Sequence, residues 1–486
     1  MSKNVSVVKI EEYEYPNKTG LFRPSKEYPE YILGDLSEEE NHVYDAIRES
    51  FHQLNLDDEN YGTKDWNPMG TVVNPGDYVL IKPNMVMDIN RSEKGDENSL
   101  YTNPSVVAAV IDYVIIAMKG EGKIVVGDAP MQECDFERLI TQSGYKNLIE
   151  YYKNKKIDIE LVDFRELSSI VKNGVHIASI NENAKGKVID LGCDSDFYGE
   201  SDENIKNMRI TNYDPNIMPE HHNHNRHEYY ISEYALNADV IINMPKPKCH
   251  RKAGMTSALK NFVGLNVRKE YLPHHTKGAK NAGGDEYDKK NIIHDIRSSI
   301  LDKKNVYQTN GKYFQTQVCR VLIKVCSVLL RLMKKNKYDE GSWYGNRTIS
   351  RTVSDINKII YYSDKNGILK DEKQRKFFIV GDMIVSGEDE GPVFPTNKNC
   401  GIIVMGDNPV AFDKAVATIM GFDYKKIPTI VNANIIKKRY TLVEDNSMPN
   451  IISNDKRFNG INIEKMQLKN TYAFNATSGW KGHIEL

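Results

Sequence analysis

Several patterns that usually reveal a protein's chemistry are missing from this chain of 486 residues. The sequence has 6 cysteines and no C-x-x-C pair, so it supports neither a structural zinc site nor an iron–sulfur cluster. No GxxxxGK[ST] loop occurs, and Gly120-Glu121-Gly122 precedes a strand-like run instead of following one, so no NAD or FAD motif is present. A GxSxG nucleophile elbow and an HExxH zinc helix are also absent. These absences exclude the recognisable nucleotide-loop enzymes, α/β-hydrolases and zincins.

The chain also lacks a large net charge and long uninterrupted apolar runs. The net charge is -2, so we expect no general attraction to nucleic acid. The first residues contain no apolar segment of the length that a secretion signal needs. The most apolar stretch, 318–333, is interrupted by Arg320, Lys324 and Arg331, and its apolar residues share one helical face. This pattern predicts a core-facing amphipathic helix and no membrane span, in a cytoplasmic protein.

What the sequence does contain is a regular alternation of short apolar strands and helices. Asn103-Pro104, for example, has the asparagine cap and first-turn proline of a helix start. Strands that alternate with helices predict an α/β fold, with a mostly parallel sheet and helices on both faces. The strand-like runs are 77–81, 123–126, 157–162, 239–242, 377–380 and 401–405.

The same alternation suggests how the chain is divided. Residues 1–60 are predicted to form an N-terminal extension with one helix, and residues 61–430 the α/β core. Long polar stretches at about 165–236 and 266–376 interrupt the core as insertions. Residues 431–486 are predicted to form a C-terminal extension.

Polar side chains follow most of these predicted strands. Because parallel strands end at the same edge of a sheet, we expect Lys82, Asn84 and Asp128 to meet the loop that follows strand 239–242. Asp407 follows the last strand-like run and is expected at this edge as well.

The loop after strand 239–242 is the most informative segment of the chain. It carries Lys246, Lys248 and His250 directly after a buried strand. Thr256, Lys260 and Asn261 follow at helical spacing, where a helix start can bind an anion. Clustered lysines bind phosphate or carboxylate through charge-assisted hydrogen bonds. A solvated basic loop is the alternative, but the preceding buried strand and the prolines favour an anion site.

Two glycine-rich segments offer imidazole and carboxylate groups. The segment 272–287 contains His274, His275 and Asp285, and the segment 380–392 contains Glu388 and Glu390. Imidazole suits proton transfer, and carboxylates suit a divalent metal, with Mg²⁺ or Mn²⁺ favoured here. Polar surface loops are the alternative for both segments. A histidine patch at 221–227 is weaker evidence for a metal.

Taken together, the motifs resemble a family catalogued as domain of unknown function 362. The resemblance rests on GDYVLIKPN, TNP, VVGDAP, ADVIINMPKPKCHRKAGMTSALKNFVG, GEDEGP and VMGDNPVAFDKAVATIMG, which span roughly residues 75–430. The segment LPHH…GGDEY and the tetrapeptide WYGN resemble a longer form of the family without iron–sulfur clusters. The resemblance implies the fold and the positions of the site but no reaction. It gives no reason to expect electron transfer, because the ferredoxin-like cysteines are absent.

These observations predict an enzyme that binds an anionic small molecule, phosphorylated or carboxylated, at the carboxyl edge of the sheet. Group transfer, ligation and isomerisation are all open at this point. A non-catalytic metabolite-binding or assembly protein is the alternative, and a redox accessory protein is less favoured. The predicted catalytic residues are His250, His274 and Lys260. The predicted substrate ligands are Lys82, Asn84, Lys246, Lys248, Thr256, Asn261 and Asp128, and the predicted metal ligands are Glu388, Glu390 and Asp285.

Overall fold

The computed structural model describes residues 2–11, 13–18, 22–172, 175–334, 338–437, 439–445 and 448–486. Its strands are β1 (Asn4–Lys9), β2 (Tyr78–Pro83), β3 (Lys123–Asp128), β4 (Ile159–Asp163), β5 (Leu167–Lys172), β6 (Val175–Ile180), β7 (Gly186–Asp190), β8 (Met208–Arg209), β9 (His222–Asn223), β10 (Arg226–Ser232), β11 (Val240–Met244), β12 (Lys248–His250), β13 (Gly254–Thr256), β14 (His275–Thr276), β15 (Lys376–Glu390), β16 (Phe394–Gly406) and β17 (Asn450–Ser453). Its α-helices are α1 (His42–Gln53), α2 (Pro104–Met118), α3 (Phe136–Ser143), α4 (Tyr145–Asn154), α5 (Asp202–Lys206), α6 (Met218–His221), α7 (Glu233–Asn237), α8 (Ala258–Asn261), α9 (Ile292–Thr309), α10 (Tyr313–Leu332), α11 (Thr348–Tyr362), α12 (Pro409–Met420) and α13 (Pro428–Ala433).

One large mixed sheet organises the molecule, and the predicted α/β class is confirmed. Its strands lie in the order β17-β1-β16-β15-β11-β2-β3-β4, and β12 and β13 join it beside β15. The run from β15 through β11, β2 and β3 to β4 is parallel throughout. The parallel register sets Lys82 beside Asn243 at the ends of β2 and β11. The carboxyl ends of these strands therefore form one edge, as expected.

Both faces of this sheet are covered by apolar side chains. Leu80 and Ile241 point into a cluster with α11 and α12, whereas Ile81 and Ile242 point into a second cluster with α1 and α2. This alternation along single strands is the burial pattern of a sheet between two helical layers.

Two sequence expectations about the later strands are wrong. β15 does not end at Asp382 but continues to Glu390, so the predicted acidic loop is a strand. It then turns directly into β16, which runs antiparallel to it. A connection of a few residues can join only antiparallel strands, since a parallel return needs a crossover of a dozen or more residues. Asp407 at the end of β16 therefore lies at the opposite edge, where it accepts a hydrogen bond from the Ser2 backbone amide.

The segments at the two ends of the chain both contribute strands to the sheet. β1 pairs with β16 on one side and with β17 on the other. The C-terminal segment also reaches the basic loop, where the indole of Trp480 donates to the carbonyl of Arg251 at 2.8 Å.

Helix α10 is not the core-facing helix that its pattern predicts. Phe314 is 78% exposed, Val321 is 61% exposed and Leu332 is 74% exposed. Within the described part of the chain, α10 is the single helix that is long and apolar enough to cross a membrane by length and composition. The sequence periodicity correctly gave an apolar face, but it could not show that this face lies on the surface.

Asp382 joins three parts of the fold at one buried carboxylate. It accepts hydrogen bonds from the Tyr15 hydroxyl at 2.7 Å and from the Asn103 amide at the start of α2 at 2.9 Å. It also forms a buried ion pair of 2.9 Å with Lys246, in the segment after β11. Removal of this carboxylate would leave a buried lysine without its counter-charge.

We expect Asp382→Ala to lower the free energy of unfolding by about 3–5 kcal/mol, because it leaves the buried ammonium of Lys246 unpaired. Denaturant unfolding followed by circular dichroism measures this loss. Asp65→Ala, at an exposed turn, is the matched control and is expected to change stability by less than about 1 kcal/mol. An equal loss in the two variants would contradict the role given to Asp382.

Candidate functional site

A cavity of about 490 Å³ lies at the carboxyl ends of β2, β3 and β11. It forms there because this is the edge where parallel strands end and their loops diverge. Its wall combines residues from the strand ends with the loops around 210–213, 340–342 and 392–394. The charged and polar residues of the wall include Asn84, Arg91, Asp128, Glu133, Lys248, His250, Arg251, Lys252, Thr256, Lys260, Asn261, Lys269, His274 and Glu340.

The structure brings most of the predicted site residues to this cavity. All three predicted catalytic residues, His250, His274 and Lys260, line it. The predicted substrate ligands Asn84, Lys248, Thr256, Asn261 and Asp128 line it as well, whereas Lys82 and Lys246 do not.

Lys82 and Lys246 lie behind the cavity wall in buried ion pairs. The ammonium of Lys82 is 2.8 Å from Asp128, and that of Lys246 is 2.9 Å from Asp382. Burial lowers the pKa of each lysine, and its aspartate partner opposes that shift. Both cations already have a counter-charge, so they support the wall and are not available to a ligand.

Gly264 allows the segment after α8 to approach the Lys82–Asp128 pair closely. A β-carbon at this position would lie 1.9 Å from a carboxylate oxygen of Asp128 and 2.8 Å from the ammonium of Lys82. Its carbonyl accepts from the Ala129 amide at 2.8 Å. The glycine of the motif therefore fixes the segment after α8 against the end of β3.

A chain of asparagine side chains positions Lys248. The Asn261 amide donates to the side chain of Asn243 at 2.8 Å and accepts from Asn84 at 3.2 Å. Asn84 in turn accepts from the ammonium of Lys248 at 2.9 Å, and the carbonyl of Leu100 accepts a second bond. The side-chain amides of the predicted ligands Asn84 and Asn261 are thus engaged in positioning Lys248.

Among the residues that the structure describes, four lysines of the wall have no carboxylate partner. Lys252 donates to Thr211 at 3.1 Å and contacts His275, and Lys269 donates to the Ala129 carbonyl at 2.8 Å. No hydrogen bond or ion pair of the Lys260 ammonium occurs with any described residue. The described residues also provide no ion-pair partner for Lys248, Lys252 or Lys269.

Burial without a counter-charge shifts the pKa of these lysines downward. Burial lowers the pKa of Lys260 to about 8, with a further contribution from nearby Lys252. It lowers the pKa of Lys269 to about 7 despite the opposing effect of Asp128. The pKa of Lys248 falls well below its ordinary value, first through burial and then through the charges of Lys246 and Lys260. A bound anion would reverse these shifts, because it favours the charged ammonium.

The wall as a whole is positive. Lys248, Lys252, Lys260, Lys269, Arg91 and Arg251 face Asp128, Glu133 and Glu340. Asp128 is already paired with Lys82, and Arg251 with Glu390, and both of these partners lie outside the wall. Lysines still outnumber the two remaining acidic residues. The wall therefore has more basic than acidic side chains, and a bound anion would balance this excess of positive charge.

The two histidines of the wall are held in opposite tautomers. His250 Nδ1 accepts from the backbone amides of Lys252 at 3.1 Å and Ala253 at 3.3 Å, so the proton of the neutral ring must be on Nε2. His274 Nδ1 lies 2.7 Å from the Leu272 carbonyl, which can only accept, so its Nε2 carries a lone pair. Burial and the neighbouring lysines lower the pKa of both rings well below the ordinary value, so both are neutral.

The structure does not bring the three predicted metal ligands together. Glu388 accepts from the Asn475 amide and pairs with Lys398 at 3.0 Å, and Glu390 pairs with Arg251 at 3.3 Å. Both carboxylates lie on β15 because that strand is longer than expected. Asp285 is buried elsewhere and accepts from the amides of Arg347 and Thr348 at the start of α11. Among the described residues, no group of three or more histidines, cysteines or carboxylates is arranged to hold a metal.

The histidine patch at 221–227 has structural partners as well. His221 pairs with Glu228 at 3.0 Å, and His222 contacts the Tyr271 carbonyl at 2.9 Å.

Some residues of the wall were not among the predicted site residues. Arg251 and Lys252 stand inside the basic motif, and their position beside His250 was a usable signal. Lys269 and Arg91 lie in stretches without a recognisable motif, and only the folded chain brings them to the cavity.

Comparison with known proteins gives a family and no reaction. The chain is 29% identical over 214 residues to "Thylakoid-associated protein sll1697" of Synechocystis sp., a match that covers 44% of this chain and 47% of that relative. The chain thus spans about half the length of this curated relative. No solved structure matches the chain. The sequence model described as "Domain of unknown function (DUF362)" matches residues 79–189 and 200–418, which is more than half of the chain and includes most of the cavity wall, so the protein belongs to this family.

Proposed function

We propose that the protein is a cytoplasmic enzyme that binds an anionic small molecule, phosphorylated or carboxylated, in the cavity at the carboxyl edge of the sheet. The observation that carries this proposal is a set of four wall lysines, Lys248, Lys252, Lys260 and Lys269, for which the described residues supply no carboxylate partner. Uncompensated cations in a buried wall lower the stability of a protein, so their presence together favours a ligand that supplies the missing charge.

The histidines favour proton transfer as the chemistry. In the described tautomers, His274 Nε2 can accept a proton, and His250 Nε2–H can donate a hydrogen bond to an oxygen on which charge develops. Because both rings are neutral, the base is ready without prior deprotonation. An isomerisation or a group transfer that begins with proton removal from the bound anion uses these two groups directly.

In this mechanism Lys260 binds the anion, which is a role separate from that of the histidines. It has no partner among the described residues, and burial lowers its pKa to about 8. Its ammonium would bind the anion and, with His250, stabilise negative charge in the transition state. Lys248 is held in place by Asn84 and would contact the same anion from the strand side.

A screen of phosphates, sugar nucleotides and carboxylates by thermal shift is expected to find compounds that raise the Tm of the wild type. Lys260→Met should weaken the affinity for such a compound at least about tenfold, because one charge-assisted contact is lost. Because burial disfavours the ammonium, the free variant should be at least as stable as the wild type.

Lys469→Met, at an exposed position that is not part of the cavity wall, is the matched control and should respond to the compounds like the wild type. If no anion stabilises the wild type, or if Lys260→Met responds to all of them as the control does, the proposal is wrong.

The proton-transfer step is tested with a compound that the screen identifies. We expect His274→Gln to lower kcat by about a hundredfold or more, because the general base is removed, and to change Kd by less than about fivefold. Steady-state kinetics and calorimetry measure the two quantities. His224→Gln, in the loop of the histidine patch, is the control. Unchanged turnover in His274→Gln would contradict the assigned role, and binding without any turnover in the wild type would favour a non-catalytic metabolite-binding protein.

A further inference from the structure

Helix α10 presents a continuous apolar face to solvent. Phe314, Val321, Val325 and Leu332 are each at least half exposed, and they recur at the spacing that places them on one side of a helix. Val318, Leu322, Val328 and Leu329 are exposed on the same side. The opposite stripe, which contains Cys319, Cys326 and Leu330, is buried. Single exposed apolar residues need no explanation, whereas a contiguous patch of this kind indicates an interaction surface.

The charges on α10 itself have one sign. From Lys312 to Lys334 the sequence contains five lysine and arginine residues and no acidic residue. Lys324 and Arg331 are exposed and lie about two turns apart beside the apolar face. No carboxylate on the helix itself can neutralise them.

We propose that α10 is a membrane-binding helix that lies in the interface of a bilayer containing anionic lipids. Its apolar face would enter the acyl region, and its lysines and arginines would contact the lipid headgroups. In this arrangement α10 lies in the plane of the membrane and does not cross it. Its buried stripe packs on the rest of the protein, and Lys324 and Arg331 lie within its apolar segment.

A second copy of the chain fits this surface less well. Pairing two α10 helices through their apolar faces would bring like charges near each other, since the helix has no acidic residue to offer its partner. Anionic headgroups supply the complementary charge directly. The charge pattern therefore favours a lipid surface over self-association.

The position of α10 links the membrane to the candidate site. After the helix, the chain passes through Asp339, which pairs with Arg297 on α9, and reaches Glu340 and Ser342 in the cavity wall. The carbonyl of Glu340 accepts from the ammonium of Lys252. Docking of α10 would thus fix to the membrane the helix that precedes this part of the cavity wall. The membrane proposal itself does not depend on the proposed enzyme activity.

Flotation of the full-length protein with vesicles tests the proposal. We expect the protein to bind phosphatidylcholine vesicles that contain about 30 mol% phosphatidylglycerol, to bind pure phosphatidylcholine at least about tenfold more weakly, and to lose several-fold in affinity between about 0.1 M and 0.5 M salt. Val321→Ser/Val325→Ser/Leu329→Ser should weaken binding at least about tenfold, because it removes exposed apolar contacts. Lys324→Gln/Arg331→Gln should weaken binding and reduce its salt dependence.

Matched controls are Ile435→Ser/Ile436→Ser, which removes exposed apolar residues elsewhere, and Lys465→Gln/Lys469→Gln, which removes exposed charge elsewhere. Both should bind vesicles as the wild type does. Since all these positions are exposed, unchanged circular dichroism is expected for every variant. Failure of the wild type to bind anionic vesicles would overturn the proposal, as would equal binding to neutral vesicles. A stable dimer that the triple serine variant converts to a monomer would overturn it in favour of a second copy.

Discussion

Two buried lysine–aspartate ion pairs at the strand ends determine how the rest of the site is built. Lys82 with Asp128 and Lys246 with Asp382 fix the loops after β2, β3 and β11, and Asp382 also holds the N-terminal segment and the start of α2. Because a buried ion needs its partner, these pairs fix the wall firmly. They also use up the carboxylates nearest to the strand ends, so the lysines in front of them are left for a ligand.

Much of the fold follows from local patterns in the sequence. The helix that begins at Asn103-Pro104 is defined by its own cap and occurs as predicted, and α12 has its own caps in Asn408 and Gly421. β16 is antiparallel because it forms a hairpin with β15, and both strands extend beyond the apolar runs that mark them in the sequence. The exposure of α10 depends on what packs beside it. Neither of these two properties is encoded in a single segment, so periodicity alone cannot predict them.

The candidate site shows the same limit in chemical terms. The sequence predicted that basic strand-end residues meet at one edge, and His250, His274 and Lys260 do line one cavity. It could not tell a paired lysine from an unpaired one, because the pairing of Lys82 or Lys246 is decided by a residue from another strand. The metal ligands failed to assemble for a related reason: Glu388 and Glu390 look available in the sequence but have partners from other segments in the fold. Whether a residue supports the wall or can act on a ligand thus depends more on its neighbours in the fold than on its residue type.

The central claim is that the unpaired lysines of the wall gain their counter-charge from a bound anion. If so, binding must raise the pKa of lysines that are partly neutral in the free protein, since burial lowers the pKa of Lys269 to about 7 and that of Lys260 to about 8. Isothermal titration calorimetry of a bound anion at about pH 8, in buffers of different ionisation enthalpy, measures the protons exchanged. The account predicts a net uptake of about one to two protons and an affinity that falls as the pH rises from about 7 to 9. Binding without proton uptake, at an affinity independent of pH over this range, would contradict it.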